Sequence, residues 1–197
     1  MPNWCETTVI ITGNEEDLRR LSNAIGDNFD FDRLIPMPEE LRETTADWHQ
    51  EHRVYYEDGS DDAERERRRA ELDQDPKNRA RADLDQALLE KYGAYDWYEW
   101  RCTNWGTKWP PDSVWIEAHS DSVVIDFDTA WSFPGPVFQR LSEMFPSLNF
   151  RGRAVEHGMA WALDFEAHNG KLSIDDLDYE QEYPYLVEGQ EDEIAVS

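Results

Sequence analysis

The chain has 197 residues, enough for one self-supporting domain with elaborations, and its 44 acids against 19 bases give a formal charge of −25. A body this negative repels phosphate backbones, which disfavours generic nucleic-acid and direct DNA binding; solubility, a salt-rich cytoplasm and mimicry of a nucleic acid remain as readings of the charge. No stretch approaches the roughly 20 apolar residues of a bilayer span, the opening run "MPNWCETTVIITG" lacks the features of a signal peptide, and Cys5 and Cys102 make no disulfide framework, so a soluble cytoplasmic protein with no membrane partner is expected.

The β-branched run from Cys5 to Gly13 predicts a strand. Asn14 then supplies an N-cap, three acids fill the first turn, and Leu18, Leu21, Ala24 and Ile25 recur at helical spacing up to Gly26. Phe29, Phe31, Leu34 and Ile35 are apolar anchors, Pro36 and Pro38 enforce an extended path, and Pro38 opens a short helix at "PEEL". From Thr44 to about Ser60 a loop is expected. Residues 61–92 are helical in composition, in two pieces. The first is nearly all polar, with four-residue pairs such as Glu64–Arg68. The second starts at Asp75–Pro76, carries Ala80, Leu84, Ala87, Leu88 and Tyr92 as its apolar stripe, and ends at Gly93.

The segment "DWYEWRCTNWGTKW", Asp96 to Trp109, holds four of the nine tryptophans. Strands follow at 113–119 and 122–130, close enough for a hairpin, with Val124, Asp126 and Asp128 on one face and Val123, Ile125 and Phe127 on the other. A helix entered through Pro134 and Pro136 shows Val137, Phe138, Leu141, Met144 and Phe145 on one side. Two further strands turn around His157–Gly158. From Leu172 onward there are nine acids and no Lys or Arg, which reads as an acidic aromatic tail, docked by its tyrosines or disordered, with disorder expected beyond Gly189.

The expected fold is therefore α+β: a ferredoxin-like βαββαβ sandwich, with an antiparallel sheet and helices on one face, one extra strand, and a long mostly helical insertion after the first helix. A single domain would cover residues 1–166, its core from 1–27 and 112–166 and its insertion from 28–111. Residues 167–197 would form the tail.

Three blocks, "MPNWCETTVIITG", "YGAYDWYEWRCTNWGTKW" and "FDTAWSFPGPVFQRLSEMFPSLNF", resemble the YubB-type ferredoxin-like proteins of phages and conjugative plasmids. The resemblance spans about the first 165 residues. It implies a mobile-element accessory protein and carries over no activity and no catalytic residues.

The candidate binding set is Trp97, Trp100, Asn104, Trp105, Thr107, Lys108 and Trp109, with Asp126, Asp128 and Trp131 on the following hairpin and its exit. Tryptophan faces stack on bases, sugars or cations, and Lys108 needs a partner, for which Asp126 and Asp128 are candidates. The competing account makes the segment a structural plug. His49 and His52, in "DWHQEH", lack the HExxH pattern and read as surface loop. Cys5 and Cys102 read as core thiols, since neither has a neighbouring base. No catalytic residue, metal or cofactor is assigned. The leading functional expectation is protein binding through the acidic surface, with a basic host protein as partner; nucleic-acid mimicry acting on a defence or nucleic-acid-handling system is the form it would take. The alternatives are a small-ligand or nucleotide site in 96–109 against the sheet, and RNA binding by the Arg-rich helices 64–81, whose interleaved acids oppose it.

Overall fold

The computed structural model describes residues 3–46, 49–56 and 62–184. They fall into two compact units: Met1–Pro36 with Asn104–Ser197, and Met37–Thr103. The second lies inside the stretch 28–111 expected as an insertion. Phe29, Phe31 and Trp105, at the ends of that stretch, belong to the first unit.

The first unit is a six-stranded antiparallel sheet in the order β2-β3-β1-β4-β5-β6. Its strands are β1 (Trp4–Thr12), β2 (Asp112–Ala118), β3 (Ser122–Ala130), β4 (Asn149–Glu156), β5 (Trp161–His168) and β6 (Lys171–Leu177). With α1 (Glu15–Ile25) after β1 and α8 (Gly135–Met144) after β3, the first four strands make the βαββαβ arrangement. The sequence reading holds one extra strand and the structure has two. β6, "KLSIDDL", lies in the stretch read as the start of the tail, and only Leu172 and Leu177 along it are half-buried. It is an edge strand with a charged outer surface, so it shows no apolar alternation. The disorder expected beyond Gly189 lies outside the described residues.

Alternation along the strands sets which face is covered. Cys5, Thr7, Val9 and Ile11 of β1 are buried, and Glu6, Thr8, Ile10 and Thr12 between them are exposed. On β3, Val123, Ile125, Phe127 and Thr129 are buried. Onto this face pack Leu18, Leu21 and Ile25 of α1 and Val137, Phe138 and Leu141 of α8. Asn14 caps α1 as expected, its side chain accepting from the Asp17 N–H at 2.9 Å. Phe29 and Phe31, two of the expected apolar anchors, join the core, Phe31 from the one-turn helix α2 (Phe31–Leu34).

Phe138 is the hub of the aromatic core. Its ring centroid lies 4.6 Å from Phe165, 5.5 Å from Phe133, 6.1 Å from Phe29 and 6.2 Å from Phe127. Gly152 makes room for Phe165: a Cβ there would come within 2.3 Å of the Thr8 carbonyl and 2.7 Å of the Phe165 ring.

The second unit is helical: α3 (Glu39–Arg42), α4 (Gln50–Tyr56), α5 (Asp62–Leu72), α6 (Pro76–Tyr92) and most of α7 (Trp97–Asn104). Asp75 and Gly93 cap α6 as the sequence predicts, and the short "PEEL" helix is α3. Three expectations are corrected. Thr44–Ser60 is no simple loop, because α4 occupies its middle. The buried face of α6 is Ala82, Asp85 and Leu88, and Leu84 is 57% exposed. His49 and His52 are not surface loop residues, since both are buried. One cause links them: Asp85 is turned inward onto His49, and His52 hydrogen-bonds Gln86 at 2.8 Å.

Removal of the Phe138 ring leaves four aromatic neighbours facing a cavity. Phe138→Ala is expected to lower unfolding free energy by about 3–5 kcal/mol, measured by urea denaturation. A loss under about 1 kcal/mol would mean the rings do not form the core described.

Candidate functional site

The ten candidate residues divide between the two units. Trp97 and Trp100 lie in α7 within the helical unit. The Trp97 N–H donates to Thr44 Oγ1 at 3.0 Å, the Arg101 guanidinium sits 5.1 Å from its ring centroid, and Trp100 is buried. Asn104, Trp105, Thr107, Lys108, Trp109, Asp126, Asp128 and Trp131 belong to the sheet unit.

Within the sheet unit, two loops are laced together. Trp105 is 1% exposed, donates from Nε1 to the Ile35 carbonyl at 2.9 Å, and meets Phe31 edge-on. Thr107 Oγ1 donates to the Ala130 carbonyl at 3.0 Å, and Ser132 Oγ returns a bond to the Gly106 carbonyl at 2.6 Å. Gly106 has φ 84°, and a Cβ there would lie 2.9 Å from the Phe133 carbonyl oxygen and from Pro136 Cδ. The run Asn104–Trp109 is thus a shaped contact against 130–136, which accounts for its glycine and its buried tryptophan.

On the solvent side of that contact, Lys108 Nζ lies 4.2 Å from the Trp109 ring centroid and 5.4 Å from that of Trp131. Both rings are more than a third exposed. The ammonium already uses these faces in cation–π contact, which leaves them less free to stack on a ligand. Trp131 holds a left-handed backbone, φ 74°, fixed by its N–H bond to the Asn3 carbonyl at 3.0 Å.

Asp126 and Asp128 have other partners than the expected Lys108. Asp126 accepts a short hydrogen bond from Thr8, and Ser113 hydrogen-bonds Asp128. Both belong to the sheet face opposite the helices. There the register sets Glu6 beside Asp128, Asp112 on the other side of Asp128, Thr8 beside Asp126, and Trp115 beside Asp126. Burial is the main force raising the Asp128 carboxyl above the ordinary carboxylate range. The Ser113 bond opposes it, and the like charges of Glu6 and Asp112 add to it. Trp115 is 51% and Ile10 49% exposed on the same face.

The other end of this face is covered. The one-turn helix α9 (Tyr179–Glu182) lays Tyr179 against Val155 and Ala162, with Leu177 and Tyr183 alongside. Arg153 forks onto Asp164, Nε–Oδ1 2.7 Å and Nη2–Oδ2 3.0 Å, and reaches Glu182 at 2.9 Å.

Other candidates resolve simply. Burial pushes the Cys5 thiol up to about 11, so it stays protonated and is no nucleophile. Cys102 is half-buried beside Tyr98. The Arg-rich helices are largely paired within their own unit: Arg68–Glu64 2.6 Å, Arg79–Asp83 2.9 Å, and Arg69 and Arg79 over the Tyr55 ring. Among the described residues no group of three or more His, Cys, Asp or Glu is placed to hold a metal ion, and no helix is long and apolar enough to cross a membrane.

These contacts separate structural tryptophans from surface ones. Trp105→Ala is expected to cost about 3–5 kcal/mol. Trp131→Ala should cost about 1 kcal/mol, and Trp131→Gly should be the more stable of the two position-131 variants, because glycine carries no penalty at positive φ. Thermal denaturation of the three proteins checks the order. Asp128→Asn should raise stability at pH 7, where the crowded carboxylate is ionised. The gain should fade as pH falls through the raised folded value and be gone below about 4, where aspartate is protonated in the unfolded chain as well.

Residues 104–195 match the model of a family described as the ferredoxin-like domain in Api92-like protein. The match starts at the laced run and takes in all strands but β1. Among solved structures, that of the protein api92 from Yersinia pseudotuberculosis is similar at 11% identity, covering 90% of this chain and 98% of that one, with a TM-score of 0.52. At that identity the likeness speaks for fold alone. No curated protein matches the chain. The fold and the family match agree that the chain carries a ferredoxin-like domain.

Proposed function

We propose that the chain is a binding protein whose open sheet face, at β1, β3 and β2, docks an arginine-bearing segment of a basic partner protein. The observation that carries this reading is the contrast between the two ends of one face. At β4 and β5, Arg153 lies in a fork of acids beside tyrosines of α9. At β1–β3–β2, Glu6, Asp112, Asp126 and Asp128 stand beside exposed Trp115 and Ile10 with no Arg or Lys in ion-pair reach among the described residues; the His157 imidazole lies 3.9 Å from Glu6. A guanidinium suits this surface, since its plane stacks on an indole while its fork meets carboxylates.

The −25 charge supports the same reading, because it speeds encounter with basic surfaces and makes binding salt-dependent. The resemblance to phage and plasmid proteins suggests what such a partner is. It would be a defence or nucleic-acid-handling protein in the host cytoplasm, whose basic groove the carboxylates occupy in place of phosphates.

A nona-arginine peptide tests the surface directly. At 50 mM salt, Asp126→Asn with Asp128→Asn is expected to weaken binding about tenfold or more, a change of about 1.4 kcal/mol, as read by titration calorimetry. Trp115→Ala should weaken it as well. Glu15→Gln with Glu16→Gln removes the same charge from α1 and should change affinity less than about threefold. Equal losses from both double variants would reduce the effect to net charge and remove the case for this face.

A further inference from the structure

His49 was expected in a surface loop, and the structure buries it between two acids. Its Nδ1 lies 2.9 Å from Asp85 Oδ2 and its Nε2 2.9 Å from Asp96 Oδ2, and all three side chains are about nine-tenths or more buried. The partners are 36 and 47 residues further along the chain, one on α6 and one at the start of α7. Tyr95 stacks on the ring, centroids 4.7 Å apart, and Asp96 uses its other oxygen to cap α7 through the Glu99 N–H at 2.8 Å. One imidazole therefore ties the segment before α4 to α6 and to the N-terminus of α7.

Only the doubly protonated ring can donate to both carboxylates, since neutral imidazole has one N–H and one lone pair. We infer that His49 is a protonation-controlled clamp of the helical unit 37–103, closed while the ring is imidazolium and released as the ring deprotonates. In the released state one buried carboxylate would face a lone pair with no cation to offset it. The titratable groups around the ring come from each packed element: Asp85 on α6, Tyr95 and Asp96 before α7, Glu99 on α7, and His52 and Glu51 on α4, with Arg81 of α6 3.9 Å from Glu51. Of these groups, Asp85 and Asp96 hydrogen-bond the ring nitrogens.

Burial by itself would lower the imidazole pKa. The hydrogen bonds and charges of Asp96 and Asp85 outweigh it and raise it above the ordinary value of about 6.5. The sign of the linkage follows. Stability from the clamp is fully present below about pH 6.5 and is lost as pH rises through the higher folded value. The helical unit is thereby alkali-sensitive. Nothing in this rests on the sheet face or its partner.

The test uses the full chain. Ring ¹⁵N shifts of His49 should show both nitrogens protonated at pH 6.5 and a midpoint above that of an ordinary histidine, and Asp85→Asn should lower the midpoint. Hydrogen exchange of α6 amides, corrected for intrinsic rates, should show opening that rises up to about tenfold per pH unit between pH 6.5 and the midpoint. In His49→Gln that dependence should be flat. If His49→Gln fails to fold, the wild-type ring titration and Asp85→Asn still decide. A His49 midpoint at or below 6.5, or the same pH dependence of α6 exchange in His49→Gln, overturns the clamp.

Discussion

The sheet can bury only one of its faces, and most of the molecule's character follows from that constraint. A strand sends alternate side chains to opposite sides, and the two main helices of the sheet unit pack on the side of Cys5, Val9 and Ile11. Every residue placed between those positions must live with water or find another cover. At β4 and β5 the cover is α9, with Tyr179 and the Arg153 fork. At β1, β3 and β2 there is none among the described residues, and that end carries Glu6, Asp126, Asp128, Ile10 and Trp115. The acids there lie within a pair or two of one another in register, and Asp128 has its carboxyl pushed up by burial and by its neighbours. The face combines exposed apolar area with concentrated like charge, both of which a cationic partner would relieve.

The tryptophan-rich segment has separate roles along its length. Trp105 is a core residue that fastens its loop to the Ile35 carbonyl. Gly106 and Thr107 are the close contact with 130–136. Lys108, Trp109 and Trp131 cap that contact from the solvent side. A sequence as dense in aromatic side chains as this one invites a ligand site, yet the rings are spoken for by a carbonyl, a phenylalanine edge and an ammonium. The segment is better understood as a fastening of its loop onto the hairpin exit at 130–136.

Local signals were enough for the elements that close on themselves. β1 is readable from its β-branched run, α1 and α6 from their caps, the hairpin β2–β3 from its alternation, and the open-face placement of Asp126 and Asp128 from the same alternation. What was missed depends on residues far away in the chain. α4 has no apolar stripe of its own, and the contacts that hold it come from Asp73 and Arg79 on Tyr55 and from Gln86 on His52. α6 was assigned the wrong buried face because Leu84 looks like core and Asp85 does not, until His49 arrives 36 residues earlier to pair with it. β6 is too charged to signal a strand, and only its pairing with β5 makes it one. Trp115, exposed beside Asp126, was read only as a strand residue, although its position opposite an acid followed from the hairpin register.

The most direct measurement is backbone and indole NMR of the full chain during titration with a nona-arginine peptide. The account predicts that the perturbed signals map to the open face, with the Trp115 indole N–H and the amides of Glu6, Asp126 and Asp128 moving together and saturating at one affinity, while α1 stays still. Shifts spread over acids on all surfaces, or confined to positions other than β1, β3 and β2, would contradict it.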